Sequence, residues 1–62
     1  MKKEDLVIGK EYIFEGDGIV TLIKVNKNGF YLKGVKNTYA EELDGSVGFM
    51  FEGLKYLTEI KQ

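Results

Sequence analysis

Three runs in this chain share one pattern: Tyr12-Ile13-Phe14-Glu15-Gly16, Phe30-Tyr31-Leu32-Lys33-Gly34 and Phe49-Met50-Phe51-Glu52-Gly53. Each places an aromatic residue first, then two largely apolar residues, a charge and a glycine. In an extended chain the first and third positions of such a run share one face, because side chains alternate with a period of two, whereas a helix would scatter them. Those positions hold all four Phe, so the runs mark short, glycine-bounded strands whose inward residues build a core. Phe14, Phe30, Phe49 and Phe51 are the expected centre of it. The runs begin 18 and then 19 residues apart. The segments between them do not resemble each other, so they read as one strand signature used three times and not as a structural repeat.

Glycine also locates the reversals. Asp17-Gly18, Asn28-Gly29 and Asp44-Gly45 are Asx-Gly pairs, suited to the positive φ values of hairpin turns. Ile19 to Val25, rich in β-branched residues, fits a strand between the first two turns. The expected order is strand one at Lys10 to Glu15, strand two at Ile19 to Val25 and strand three at Phe30 to Lys33, forming a meander. A less regular fourth strand is read at Asn37 to Glu42 and a fifth at Val47 to Glu52. A 3₁₀ turn near Leu54-Leu57 follows, then a last strand near Thr58 to Ile60. In strand three, Phe30 and Leu32 point inward while Tyr31 and Lys33 point outward. Strand two is apolar on both faces, with Ile19, Thr21, Ile23 and Val25 on one and Val20, Leu22 and Lys24 on the other. That ambiguity implies a strand bent across a barrel or covered on its second face.

The expected fold class is therefore all-β, a single small domain over residues 1–62 with five to six short antiparallel strands. The opening Leu6-x-x-Gly9-Lys10-x-Tyr12 and the closing Phe51-Glu52-x-Leu54-x-x-Leu57 are similar to the ends of compact SH3-like domains of bacteria and phages. This resemblance implies a small SH3-like β-barrel; the group carries no single activity. The chain lacks the Trp of the polyproline groove in eukaryotic signalling SH3 domains, so Pro-rich ligands are not expected. An OB-like five-stranded barrel is the structural alternative, although OB strands usually run longer.

Composition narrows the chemistry. A chain of 62 residues hides only about 60% of its unfolded surface and commonly needs reinforcement. With no Cys and no His, disulfides are excluded and a zinc site lacks its ordinary ligands, which leaves self-association or tight packing. Ser-His and Cys-His nucleophilic systems are likewise excluded, and Ser46 is the sole Ser. Gly16-Asp17-Gly18 lacks the following helix and the Gly-Lys-Ser/Thr ending of a phosphate loop. A barrel this small also has little room for a deep cleft that would raise a carboxylate pKa. The reading is a protein that is not an enzyme and takes no cofactor or metal.

Nine cations, all Lys, stand against ten acids, for a net charge of −1. The apolar stretch Leu6-Val7-Ile8 is too short for a signal peptide or a membrane span, so a soluble, cytoplasmic protein without a membrane partner is expected. The absence of Arg, Pro, His, Trp and Cys, with abundant Lys, Glu, Ile, Tyr and Phe, suits an AT-rich coding genome, such as that of a low-GC bacterium or its phage.

Two binding classes compete. The first is a protein-interaction module, a phage-type or bacterial modulator that binds another protein or itself through Tyr31, Tyr39, Met50 and Tyr56. Tyr offers large contact area with few rotatable bonds. Val20, Leu22, Tyr31 and Met50 would then form an apolar outer patch of the kind a monomer seldom leaves uncovered. The second is a single-stranded nucleic-acid binder that stacks bases on Tyr31 beside Lys24, Lys33 and Lys36. The acid balance and the lack of Arg count against it. Glu41, Glu42 and Asp44, with Glu15 and Asp17 expected nearby, form either a solvated loop or an acidic patch for a basic partner.

Overall fold

The computed structural model describes residues 1–36 and 45–60. Among them the chain forms a 3₁₀ turn at Lys3–Asp5, then β1 (Glu11–Phe14), β2 (Gly18–Val25), β3 (Gly29–Lys33) and β4 (Ser46–Met50). A second 3₁₀ turn at Phe51–Tyr56 leads directly into β5 (Leu57–Glu59). All pairings are antiparallel, in the spatial order β4-β3-β2-β1-β5. The protein is all-β, as its sequence predicts. The fourth strand expected at Asn37 to Glu42 lies outside the described residues.

The sheet is one curled layer. The rings of Phe14 on β1 and Phe49 on β4 come within 4.8 Å at 51°, although β2 and β3 separate their strands in the ladder. Phe49 continues onto Phe30 at 5.7 Å, and Phe30 onto Phe51 at 6.4 Å. Tilted and offset ring pairs of this kind contribute about 0.5–1.5 kcal/mol each beyond the area they bury. The ring contacts bridge the sheet's two ends, since the hydrogen-bonded ladder stays open between β4 and β5 among the described residues. Among the described residues the sheet is bent and not closed, so the barrel closure expected from the sequence is not seen there.

The core holds Tyr12, Phe14, Val20, Leu22, Phe30, Leu32, Leu54 and Leu57, with Phe49 and Phe51 half-buried against it. This agrees with the inward positions of the aromatic runs and corrects the reading of β2. Val20 and Leu22 are buried and belong to no outer patch; the outward residues of that half-strand are Ile19, 58% exposed, and Thr21. The alternation fails farther along because the β2–β3 register shifts between Leu22 and Lys24. Leu22 pairs with Leu32, but Lys24 pairs with Tyr31 and Val25 with Phe30. Ile23 is the extra residue of a β-bulge, which bends a strand and increases its twist. Val25 thus packs against the core, while Lys24 is exposed.

Turn chemistry also differs from expectation at one place. Gly16 and Gly18 take φ values of +88° and +89°, which the β1–β2 reversal requires. Gly29 does not have a positive φ. The β2–β3 turn is instead organised by Asn26, whose Oδ1 accepts hydrogen bonds from the Asn28 and Gly29 N–H groups at 2.8 and 3.0 Å, an Asx-type turn. Gly29 is buried against the Phe49 backbone, where a Cβ would overlap the Phe49 carbonyl. It is there for close approach, not for backbone freedom. The last 3₁₀ turn starts at Phe51, earlier than expected, so Phe51 and Glu52 leave the strand.

The N-terminal segment is tied down by Tyr12. Its ring is fully buried, and its hydroxyl accepts a hydrogen bond from the Val7 N–H at 2.9 Å. A buried phenol needs such a partner.

Candidate functional site

The outer face of the sheet near the β2–β3 turn brings together residues from three elements. Tyr31 on β3 sits between Lys24 on β2 and Gly48 on β4 in the cross-strand pairing. Its ring leans over Gly48, where a Cβ would meet ring carbons at 2.8–3.2 Å. The missing side chain of Gly48 therefore makes the seat for the ring, in the way aromatic residues cover glycines in sheets. Lys24 Nζ stands over the same ring, 5.5 Å from its centre, a contact worth about 0.5–1 kcal/mol at an exposed site.

Beside the ring lies an open groove of about 270 Å³ lined by Asn26, Asn28, Gly29, Tyr31, Gly48, Phe49 and Met50. Met50 is 68% exposed. Because Asn26 spends its Oδ1 on the turn, its amide group is held at the groove in a fixed place. The arrangement combines a seated aromatic ring, an adaptable thioether, two amides and a cation. It suits recognition of a surface and contains no nucleophile paired with a base.

The residues expected to act together separate into three groups. Tyr31 and Met50 line the same groove, and Lys24 joins them. Lys33 is exposed on the same face of β3, two residues from Tyr31. Tyr56 is placed elsewhere: it is 42% exposed on the last 3₁₀ turn, with its ring edge-on to Phe14 at 6.4 Å and Lys55 over it at 5.2 Å. Its backbone carbonyl accepts from the Glu15 N–H. Lys36 is also apart, because its N–H donates to Asp17 Oδ1 at 2.9 Å, at the β1–β2 end of the sheet. Asp17 is buried there, so it braces a loop. Tyr39, Glu41, Glu42 and Asp44 lie outside the described residues.

A larger groove, about 740 Å³, runs between the N-terminal turn and β5, with Met1, Val7 and Leu57 among its walls. Lys10 and Glu59 on its side form an ion pair at 3.0 Å. The hydrogen bond to Glu59 holds the Lys10 ammonium above the usual lysine range, against a smaller opposing effect of desolvation. Asp5, Lys55 and Thr58 also line it, so its walls mix apolar and polar groups, with the Lys10 and Glu59 charges already joined to each other. Sequence reading missed this groove; of the apolar stretch Leu6-Val7-Ile8 only Val7 lines it.

Among the described residues no cluster of three or more His, Cys, Asp or Glu could hold a metal ion. None of their helices is long and apolar enough to cross a membrane. Fold and site together define a small, open, all-β sheet with an aromatic groove on its outer face. Comparison with family models, with curated proteins and with solved structures gave no match for this chain.

Proposed function

We propose that this chain is a non-enzymatic protein-interaction module on an SH3-like frame, whose contact surface is the outer sheet face around Tyr31 and Met50. The SH3-like reading is supported by the β5-β1-β2-β3-β4 order and by the 3₁₀ turn between the last two strands. The observation that carries the functional reading is Met50, two-thirds exposed beside a half-buried Tyr31 over a groove. Met and Tyr are enriched at protein interfaces, where one adapts its shape and the other supplies rigid area. A bacterial or phage-type modulator that occludes a cytoplasmic protein, or a self-associating subunit, are both instances of this module.

Capture with immobilised wild-type protein and with Met50→Lys and Tyr31→Ala baits tests it, alongside sedimentation of each form. The expected result is a protein, or a second copy of this chain, that the wild type retains and both variants lose. Equal retention by all three baits, or monomers that retain nothing, would refute it.

The exposed cations Lys24 and Lys33 beside Tyr31 favour a second reading, in which they hold the phosphates of single-stranded nucleic acid. Titration with labelled oligothymidylate at two salt concentrations decides it, because phosphate contacts make affinity fall steeply with salt.

A further inference from the structure

We infer that the Tyr31 groove takes an acidic peptide segment that inserts one aromatic or long aliphatic side chain between Tyr31 and Met50. This rests on the protein-interaction reading and specifies the partner's chemistry. Charge supplies the first argument. The chain as a whole is slightly acidic, yet among the described residues no carboxylate lines this groove, and the charge that stands over its ring is a lysine. Lys24 stands over the ring, Lys27 is exposed in the turn between the lining residues Asn26 and Asn28, and Lys33 follows on the same face of β3. A complementary segment carries carboxylates, and complementarity of this kind sets orientation and encounter rate.

Geometry supplies the second argument. A stacked nucleobase must displace Lys24 from over the Tyr31 ring, whereas a carboxylate pairs with that ammonium where it already stands. The groove is small, about 270 Å³, enough for one large side chain and too small for a folded element. Its wall opposite the ring is Met50, whose unbranched thioether repacks around varied shapes. The amides of Asn26 and Asn28 flank it, and Asn26 is fixed by its own turn hydrogen bonds, so it can bond a peptide backbone without first being ordered.

The test uses ¹⁵N-labelled full chain and four probes. They are a decapeptide of Glu and Gly with a central Phe, the same peptide with Lys for Glu, the same with Gly for Phe, and oligothymidylate of matching length. The first probe is expected to move the amide resonances of Gly29, Gly48 and Met50, with affinity several-fold weaker at high salt. Lys24→Glu is expected to weaken it about tenfold and Lys24→Gln less, both at a single exposed position where substitution leaves the fold intact. Loss of the response with the Phe-free probe supports side-chain insertion. An equal response to the lysine peptide overturns the charge argument while leaving the Met50→Lys capture result, and the reading based on it, standing. Stronger shifts of the same resonances by oligothymidylate overturn it in favour of nucleic acid. Shifts confined to the groove beside β5 overturn the location.

Discussion

Replacing Gly29 with Ala separates a glycine needed for close approach from one needed for a positive φ. A Cβ at Gly29 would overlap the Phe49 carbonyl oxygen and stand 3.0 Å from its carbon and 3.2 Å from Met50 Cα. All three are backbone atoms of the neighbouring strand, so no side chain can swing aside, and relief requires the β3–β4 ladder to part where Gly29 faces Met50. Overpacking costs about 1–3 kcal/mol, and a ladder hydrogen bond adds about 1 kcal/mol. A loss of roughly 2–4 kcal/mol is large for a domain whose whole stability is roughly 3–9 kcal/mol. Gly34→Ala is the control. There the nearest atom to a Cβ is 3.6 Å away, but φ is +96°, so the cost is conformational, about 1–2 kcal/mol. With a urea slope of about 1 kcal/mol/M, the midpoint should drop about 2–4 M for Gly29→Ala and about half that for Gly34→Ala. Circular dichroism at increasing urea reads both. If Gly29→Ala were as mild as Gly34→Ala, or milder, the steric account of this hairpin would be wrong.

Three further perturbations address separate claims. Leu22→Ala should cost about 2–5 kcal/mol and Ile19→Ala well under 1 kcal/mol, compared by the same urea melts; the reverse order would mean that the wrong face of β2 is inside. Tyr12→Phe leaves the ring in place but removes the acceptor of the Val7 N–H, so a loss of about 1 kcal/mol is expected together with faster hydrogen exchange at Val7. Unchanged exchange there would remove the hydroxyl as the tether. The Lys10 pKa is raised in the folded protein by its hydrogen bond to Glu59, so its stabilising contribution is present below the ordinary lysine value and disappears as pH rises through the folded one. Melting temperatures of the wild type and Glu59→Gln should therefore converge across roughly pH 9 to 12, and a constant difference would contradict the assignment.

Much of the fold is legible in the alternation of aromatic residues. β1 and β3 have one apolar face each, so Tyr12, Phe14, Phe30 and Leu32 could point only inward, and their bounding glycines fixed where the strands stop. β2 resisted the same reading because Ile19 and Val20 are equally apolar and a bulge has no composition of its own. Gly29 looked like a turn glycine because Asn-Gly usually is one; the competing explanation, contact with Phe49, depends on a strand twenty residues away. The Tyr31 and Met50 part of the site followed from alternation alone. Gly48 did not, since an empty position announces itself only when the ring that fills it is known. Tyr56 does not line the Tyr31 groove, because the 3₁₀ turn starting at Phe51 brings its ring against Phe14.

The bulge at Ile23 links the interior to the groove on the outer face through simple counting. Had the β2–β3 register continued unbroken from Leu22 opposite Leu32, Lys24 would fall opposite Phe30, a fully buried position, and would drive an ammonium into the hydrocarbon. One additional residue moves Val25 into that place and delivers Lys24 to Tyr31. The bend that lets the sheet wrap its phenylalanines and the positive charge poised over the groove are therefore a single trait. Any descendant of this sequence that straightened β2 by deleting a residue would lose both together.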